Sequence, residues 1–509
     1  MWTAQFVSNI GGWMQTVAAQ WLMLTLTGSA AYVALVSSAG SLPVMLFAVA
    51  AGAIGDLVDR RTFLLVAQGL MLAAAAALGV LALAGLVTPW TLLALIFALG
   101  VGQALTAPVW QTLQPELVLP PERTQAISLG AVNQNLARAI GPAIGGVILA
   151  ATSAGTVFLV NAATFLAVIA VVGAWRGGGQ PAGALPREHL REAIRAGARY
   201  VTASPALRVI LLRALLFILF ASSIWALLPL AAESELHLGS GGYGLLLGCV
   251  GVGAVGGALL LPRLRVLLSA GGQLTVGSLC LGGVALLLAL VHVTAVAAIA
   301  LAFGGLAWIV ALSTLNSAYQ LALPGWVKAR GVSFYLIVFQ GGNAVGSALL
   351  GLMAQRTGLT ATLVTVAAAL GVGPLAGLRF PFQQIPPAEL VPAGDWPTPR
   401  ISVPDAREPV GPVMVTVQYR AREGLREDLI GALRDARFSR RRTGATAWRV
   451  WQDTTDRDHI VEQFVVASWE EHLRQHERVT RRDSDRLAKI RAMTDPDRPP
   501  AVSHWLTPS

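Results

Sequence analysis

Twelve apolar stretches, most of them about twenty residues long, fill the first 380 residues, and one basic segment interrupts them near the middle. At about 1.5 Å rise per residue, such a stretch crosses the roughly 30 Å hydrocarbon core of a bilayer as a helix. Lipid offers no partner to backbone N–H and C=O groups, so only helices and closed barrels can span it. The stretches are continuously apolar instead of alternating, which predicts an all-α helical bundle. The spans read as 1–26, 31–55, 62–85, 90–112, 126–150, 153–175, 206–231, 243–262, 272–292, 294–318, 331–355 and 358–378.

The net charge of +10 would suit nucleic acid, but its distribution argues against that partner. Residues 1–380 hold 17 Lys+Arg against 8 Asp+Glu, and the rest of the chain holds 20 against 19. The surplus therefore sits in membrane loops. Every second connection is basic: Arg60 and Arg61, Arg123, the 176–208 segment, Arg263 and Arg265, Lys328 and Arg330, then Arg379. The intervening loops hold Arg356 alone. The positive-inside rule then places both termini in the cytoplasm, in a multi-pass protein of the cytoplasmic membrane. Cys249 and Cys280 fall inside spans, so neither a disulfide framework nor a metal site is expected, and no cofactor is. No signal peptide precedes the first span, and the expectation is of a short basic leader ahead of Met1.

The spans divide into two pseudo-symmetric six-helix halves, 1–175 and 206–380, joined by a cytoplasmic linker at 176–205. Leu190, Ile194 and Val201 share one face of that linker, with arginines on the other, which predicts an amphipathic helix. The halves echo each other. Gly52-Ala53-Ile54-Gly55-Asp56-Leu57-Val58-Asp59-Arg60-Arg61 follows the second span, and Gly257 through Arg265 follows the eighth. Duplicated halves around a central site suit alternating access.

The first of these segments resembles the Gly-x-x-x-Asp-x-x-x-Arg-Arg signature of the major facilitator superfamily. The fifth span adds Gly141-Pro142-Ala143-Ile144-Gly145-Gly146, similar to that superfamily's exporter motif. The strings Ala107-Pro108-Val109-Trp110 and Asn135-Leu136-Ala137-Arg138 narrow the resemblance to enterobactin-exporter-like and macrolide-efflux-like proteins of the transmembrane secretion effector type. The resemblance implies that Gly52, Asp56, Arg60 and Arg61 form a conformational latch, and that Gly141, Pro142, Gly145 and Gly146 form a helix-packing face. It also implies proton antiport. A glycine on such a helix admits another backbone, and plain bundle packing is the blander reading of each.

Arg138 stands about twelve residues into its span, where an arginine costs roughly 2.5–3.5 kcal/mol to insert. It is the one charge placed near mid-bilayer, and all eight acids of this region sit at helix ends or in loops. Either backbone groups satisfy it or an anionic or carbonyl-bearing cargo does. Polar stripes at helical spacing supply the other cavity candidates: Gln5, Asn9 and Thr16, Gln103 and Trp110, Gln134, Asn316 and Gln320, Gln340 and Asn343. Each could equally bond helix to helix. An amide-rich, acid-poor cavity fits a small amphipathic organic molecule, neutral or anionic. No Gly-x-x-x-x-Gly-Lys-[Ser/Thr] loop occurs, which argues against ATP hydrolysis.

After a proline-rich linker at 381–411, residues 412–509 change character. Val413, Val415 and Val417 alternate, as do Trp448 and Val450, then Ile460, Glu462 and Phe464, with helical patterns at 424–437 and 469–493 and a last strand at 502–506. The order β-α-β-β-α-β predicts a small cytoplasmic α+β domain of ferredoxin-like type. It resembles dimeric α+β barrel domains that include antibiotic-biosynthesis monooxygenases, which implies dimerisation through this domain. His472 and His476 lie four apart on a helix; a solvated face is expected there, with no metal. The reading is an exporter of amphipathic molecules of drug, macrolide or siderophore class, proton-coupled, and not an enzyme. The alternatives are an importer or uncoupled facilitator, or a membrane-anchored protein whose tail binds or oxidises a small molecule.

Overall fold

The protein is described by a computed structural model covering residues 1–57, 59–113, 118–119, 122–175, 190–382, 386–393 and 411–506. The residues group into two compact units, 1–185 with 211–317 and 335–382, and 186–210 with 318–334 and 383–509.

The first unit is built almost entirely of apolar helices: α1 (Trp2–Thr27), α2 (Ala30–Leu57), α3 (Arg60–Leu83), α4 (Pro89–Leu113), α5 (Arg123–Ala151) and α6 (Ala154–Ala174). After α7 (Leu190–Ala203) come α8 (Pro205–Ala221), α9 (Ser223–Leu230), α10 (Ser240–Leu267), α11 (Ala270–Leu290), α12 (Thr294–Leu321), α13 (Lys328–Thr357), α14 (Leu359–Val372) and α15 (Leu375–Arg379). Among the described residues, nine helical segments are long and apolar enough to cross a membrane. The polar stripes of α1, together with Arg138 and the asparagines of α5, keep those two helices off that count. The chain is nonetheless a multi-pass membrane protein.

Local chemistry sets the helix ends. Asp59 caps α3, its carboxylate accepting from the Thr62 backbone N–H at 2.8 Å. Gly28 closes α1 in the left-handed region, with φ 58°. Two spans read as continuous are broken. The seventh divides at Ser222 and ends in a π turn at Ala231–Glu235. The last divides at Gly373-Pro374, where proline has no N–H to continue the ladder.

The second unit contains a four-stranded antiparallel sheet, β1 (Val413–Arg420), β2 (Ala445–Gln452), β3 (His459–Val466) and β4 (Ala501–Leu506), in the order β2-β3-β1-β4. Helices α16 (Arg426–Thr443), α17 (Trp469–Glu477) and α18 (Arg481–Ala492) supply the rest, so the expected β-α-β-β-α-β order is present with its second helix in two pieces. A capping box between Thr480 and Asp483 restarts the chain as α18. The inward residues Val413, Val415, Val417, Tyr419, Ile460 and Phe464 form one core with Leu429, Leu433 and Ile490.

Helix α7 belongs to this unit, and its contacts there are polar and aromatic. Arg199 donates to Glu471 Oε1 and to the Gly444 carbonyl, both at 2.9 Å. Arg478 donates to the same Glu471 oxygen at 2.7 Å, and its guanidinium lies 4.6 Å from the Trp326 ring. Trp326 in turn meets Tyr200 edge-to-face at 5.5 Å.

Candidate functional site

Helix α5 organises the candidate site because its small residues let two other helices come close. A Cβ on Gly141 would meet Trp13 Cβ at 2.6 Å, and one on Gly145 would meet Met14 Cα at 2.7 Å, so both glycines face α1. Gly146 faces α10 instead, where its Cβ would meet Gly244 Cα at 2.6 Å. Farther along the same seam, a Cβ on Gly251 would come within 2.2 Å of Ala139 Cα. Gly146 thus packs one half of the repeat against the other, while Gly141 and Gly145 pack within the first half. Gly146→Leu is expected to force α5 and α10 apart, lowering stability by about 1–3 kcal/mol, read as a reduced melting midpoint in detergent. Gly12→Ala is the control, since nothing lies within 4 Å of its Cβ position.

Beside this seam, the Arg138 guanidinium lies 5.2 Å from the Trp13 ring centroid. Its Nε and Nη1 are buried, and among the described residues neither has a hydrogen-bond partner. Trp13 continues into a row of rings: Trp225 at 5.6 Å, Trp308 a further 5.6 Å on, then Phe339 at 6.3 Å. The row runs from the first half of the repeat to the second. A buried cation flanked by aromatic faces offers donors to an anion or carbonyl and apolar area to the rest of a molecule.

The remaining cavity candidates divide. Gln5 donates to Asn9 at 3.0 Å, Asn9 to Asn133 at 2.7 Å, and Asn133 to the Trp2 carbonyl at 3.3 Å, a chain that fastens α1 to α5. Thr16 bonds back to the Gly12 carbonyl of its own helix. Asn343 donates to Ser41 at 2.7 Å, and Ser38 to the Ala344 carbonyl at 2.7 Å, joining α2 to α13. Trp110 is buried in an apolar cluster with Leu64, Val109 and Val168. Gln103 and Gln134 are exposed, while Asn316, Gln320 and Gln340 are half-buried. The composition of α1 hid one junction: Gln20 donates to Ser37 and to the Trp225 carbonyl, each at 2.8 Å, and accepts from Tyr243.

Of the latch residues, Gly52 and Asp56 lie in α2 with side chains outside the described residues. Arg61 donates to the Val172 carbonyl at 3.3 Å and to the Gly173 carbonyl, closing the end of α6. Arg60 opens α3 and is engaged. Arg138 is half-buried with two buried nitrogens, and Arg213 of α8 is more deeply buried, 5 % exposed, with its guanidinium 4.0 Å from the Phe382 ring. Two turns from the start of a span, a long cation reaches outward, so position along the helix was the available signal.

The expectation of a solvated His472–His476 face is corrected. His472 is 1 % exposed, packed on the edge of His476 at 4.7 Å and beside His504 of β4 at 4.9 Å. Strand β4 brings this third imidazole in from 28 positions away, which helical spacing does not reveal. Among the described residues, no group of three His, Cys, Asp or Glu side chains could hold a metal.

A family model described as transmembrane secretion effector matches residues 1–509. The chain belongs to that family, within the major facilitator transporters. The chain is 32% identical over 169 residues to the staphyloferrin A transporter of Staphylococcus aureus, covering 33% of this chain and 43% of that one. It is 32% identical over 218 residues to the multidrug efflux pump Tap of Mycolicibacterium fortuitum, covering 41% and 52%. The matches thus span about half the length of these relatives. In fold it resembles a POT family transporter in complex with 5-aminolevulinic acid, with TM-score 0.62 at 14% identity over 74% of this chain and 94% of that one. A bacterial homologue of ferroportin in an inward-facing state gives TM-score 0.57 at 16% identity over 74% and 97%.

Proposed function

We propose that this protein exports amphipathic organic molecules across the cytoplasmic membrane by alternating access, through twelve spans with both termini inside. The observation that carries the reading is Arg138, whose buried Nε and Nη1 have no partner among the described residues, beside a row of tryptophans. A site of that kind asks its cargo for an acceptor group and flat apolar surface. Efflux agrees with the name of one relative, a multidrug efflux pump. The α5–α10 and α2–α13 contacts between the halves gather toward the ends whose loops hold one arginine in all, Arg356. In the proposed orientation those are the outer ends, so the described state is closed to the outside.

A proton gradient supplies the energy in this reading, with Asp56, Glu116 and Glu233 as the titratable groups at helix ends. Everted membrane vesicles test it. Energised vesicles holding the protein should concentrate an acidic amphipathic dye, and nigericin should abolish the uptake. Movement only out of such vesicles would make the protein an importer, and no concentrative movement of any amphipathic probe would remove the reading. The latch carries its own expectation. Asp56→Asn should slow transport roughly tenfold at unchanged membrane abundance, because the acid biases conformations and does not hold the fold. Wild-type efflux by that variant would dismiss the latch.

A further inference from the structure

The second unit holds a cavity that transport does not use. It measures about 450 Å³ and lies between the inward face of the sheet, at Val415, Val417 and Phe464, and the helices α16, α17 and α18. That volume is within the range of small-molecule pockets. Its polar groups are nearly all engaged with one another. Arg440 forks onto Glu462 through two bonds of 3.1 Å, and the Tyr419 hydroxyl donates to the same carboxylate at 3.0 Å. Gln475 Nε2 donates to Thr443 Oγ1 at 3.2 Å and to the Arg440 carbonyl at 3.4 Å. With its amide nitrogen so placed, Gln475 turns its Oε1 toward His472 Nδ1 at 3.1 Å.

His472 has a nitrogen to spare. Gln475 Oε1 can only accept, so His472 Nδ1 carries the proton and Nε2 presents a bare lone pair. His472 is a residue of the cavity lining, and its Nε2 is buried with no partner among the described residues. Burial, with the neighbouring His476 adding to it, holds the His472 pKa down to about 4, so the ring is a neutral acceptor at physiological pH. The rings of His476 and His504 make the adjoining wall flat; of the two arginines in the lining, Arg440 is neutralised by Glu462 and Arg491 is exposed. The complement of such a wall is an uncharged, largely apolar, flat molecule with one O–H or N–H donor.

The same helix faces two ways. His472, Gln475 and His476 line the cavity, while Glu471 and the following Arg478 hold α7 and Trp326. Helix α7 lies in the segment that joins the two halves of the repeat. We propose that this unit is a ligand sensor, in which a flat apolar molecule bonds His472 Nε2 through its donor and its occupancy is passed by α17 to α7. A filled cavity steadies α17, so the clamp on α7 opens less often.

The test uses the full-length protein in nanodiscs, with 2-naphthol as the donor-bearing probe and 2-methoxynaphthalene as its donor-free match. Equilibrium dialysis against empty nanodiscs should show saturable 2-naphthol binding, about fivefold tighter than the ether. His472→Phe keeps a ring and removes the acceptor; it should bring 2-naphthol down to the ether's affinity and leave the ether unchanged. Val417→Trp, which fills the cavity, should abolish both. Amide exchange at residues 190–203 should slow on adding 2-naphthol to the wild type. Glu471→Gln should keep the binding and lose that slowing. Absent or donor-independent binding, or binding that survives Val417→Trp, would overturn the site. Binding without any change of exchange at 190–203 would overturn the sensor.

Discussion

Arg138→Lys is expected to lose about ten- to a hundredfold in the transport of an anionic amphipathic cargo, at membrane abundance equal to the wild type. The charge is kept, so the loss comes from geometry. A guanidinium, here 5.2 Å from the Trp13 ring centroid, offers two parallel donors to a carboxylate or carbonyl, and a point-charge ammonium cannot reproduce that fork. Charge-assisted hydrogen bonds contribute about 1.5–3 kcal/mol each, which sets the range. Arg138→Gln should discriminate further, keeping a planar donor without the charge, and so lose the anionic cargo more than a neutral one of similar shape. Efflux of one acidic and one neutral dye, normalised to protein, measures both. Equal losses for the two cargoes, accompanied by a lower melting midpoint, would make Arg138 a structural residue and remove it from recognition.

Arg138 was legible in the sequence because a charge inside an apolar run has few physical excuses. The residue that completes its surroundings was not. Trp13 in an apolar helix looks like any lipid-facing or core ring, and only the turn of α1 against Gly141 and Gly145 brings it to the guanidinium. The polar stripes show the reverse case. Gln5 and Asn9 stand out by periodicity, yet periodicity gives a face and not its neighbour, and the neighbour is Asn133. In a medium without water, lining a cavity and bonding to another helix call for the same side chains. The tail was legible in its strands, whose alternation fixes the inward face, whereas the break of its second helix at the Thr480–Asp483 capping box was not legible in the continuous 469–493 pattern. Its hold on α7 was not, since Arg199, Glu471 and Arg478 are each ordinary surface residues by sequence and meet only in three dimensions.

Glu462→Ala should be the most destabilising single change in the tail. Its position was read as the inward step of a strand, where a carboxylate is out of place. Buried completely between Ile460 and Phe464, it would be expected to stay neutral. Burial does push its pKa up, but the Arg440 guanidinium and the hydrogen bonds from Arg440, Trp448 and Tyr419 more than offset this and hold it below the ordinary value. Four donated bonds of 2.9 to 3.1 Å fill its lone pairs. Alanine would leave the arginine buried without a counter-charge and two ring donors without an acceptor, a loss of about 3–5 kcal/mol. In full-length protein this is an increase of about 10²- to 10⁴-fold in the exchange rates of the most protected β1 and β3 amides. Glu462→Met with Arg440→Met should recover much of the loss, because the cost lies in the uncompensated charge and not in the missing attraction. A single variant within tenfold of the wild type would show that water reaches Arg440 and that the network is not sealed.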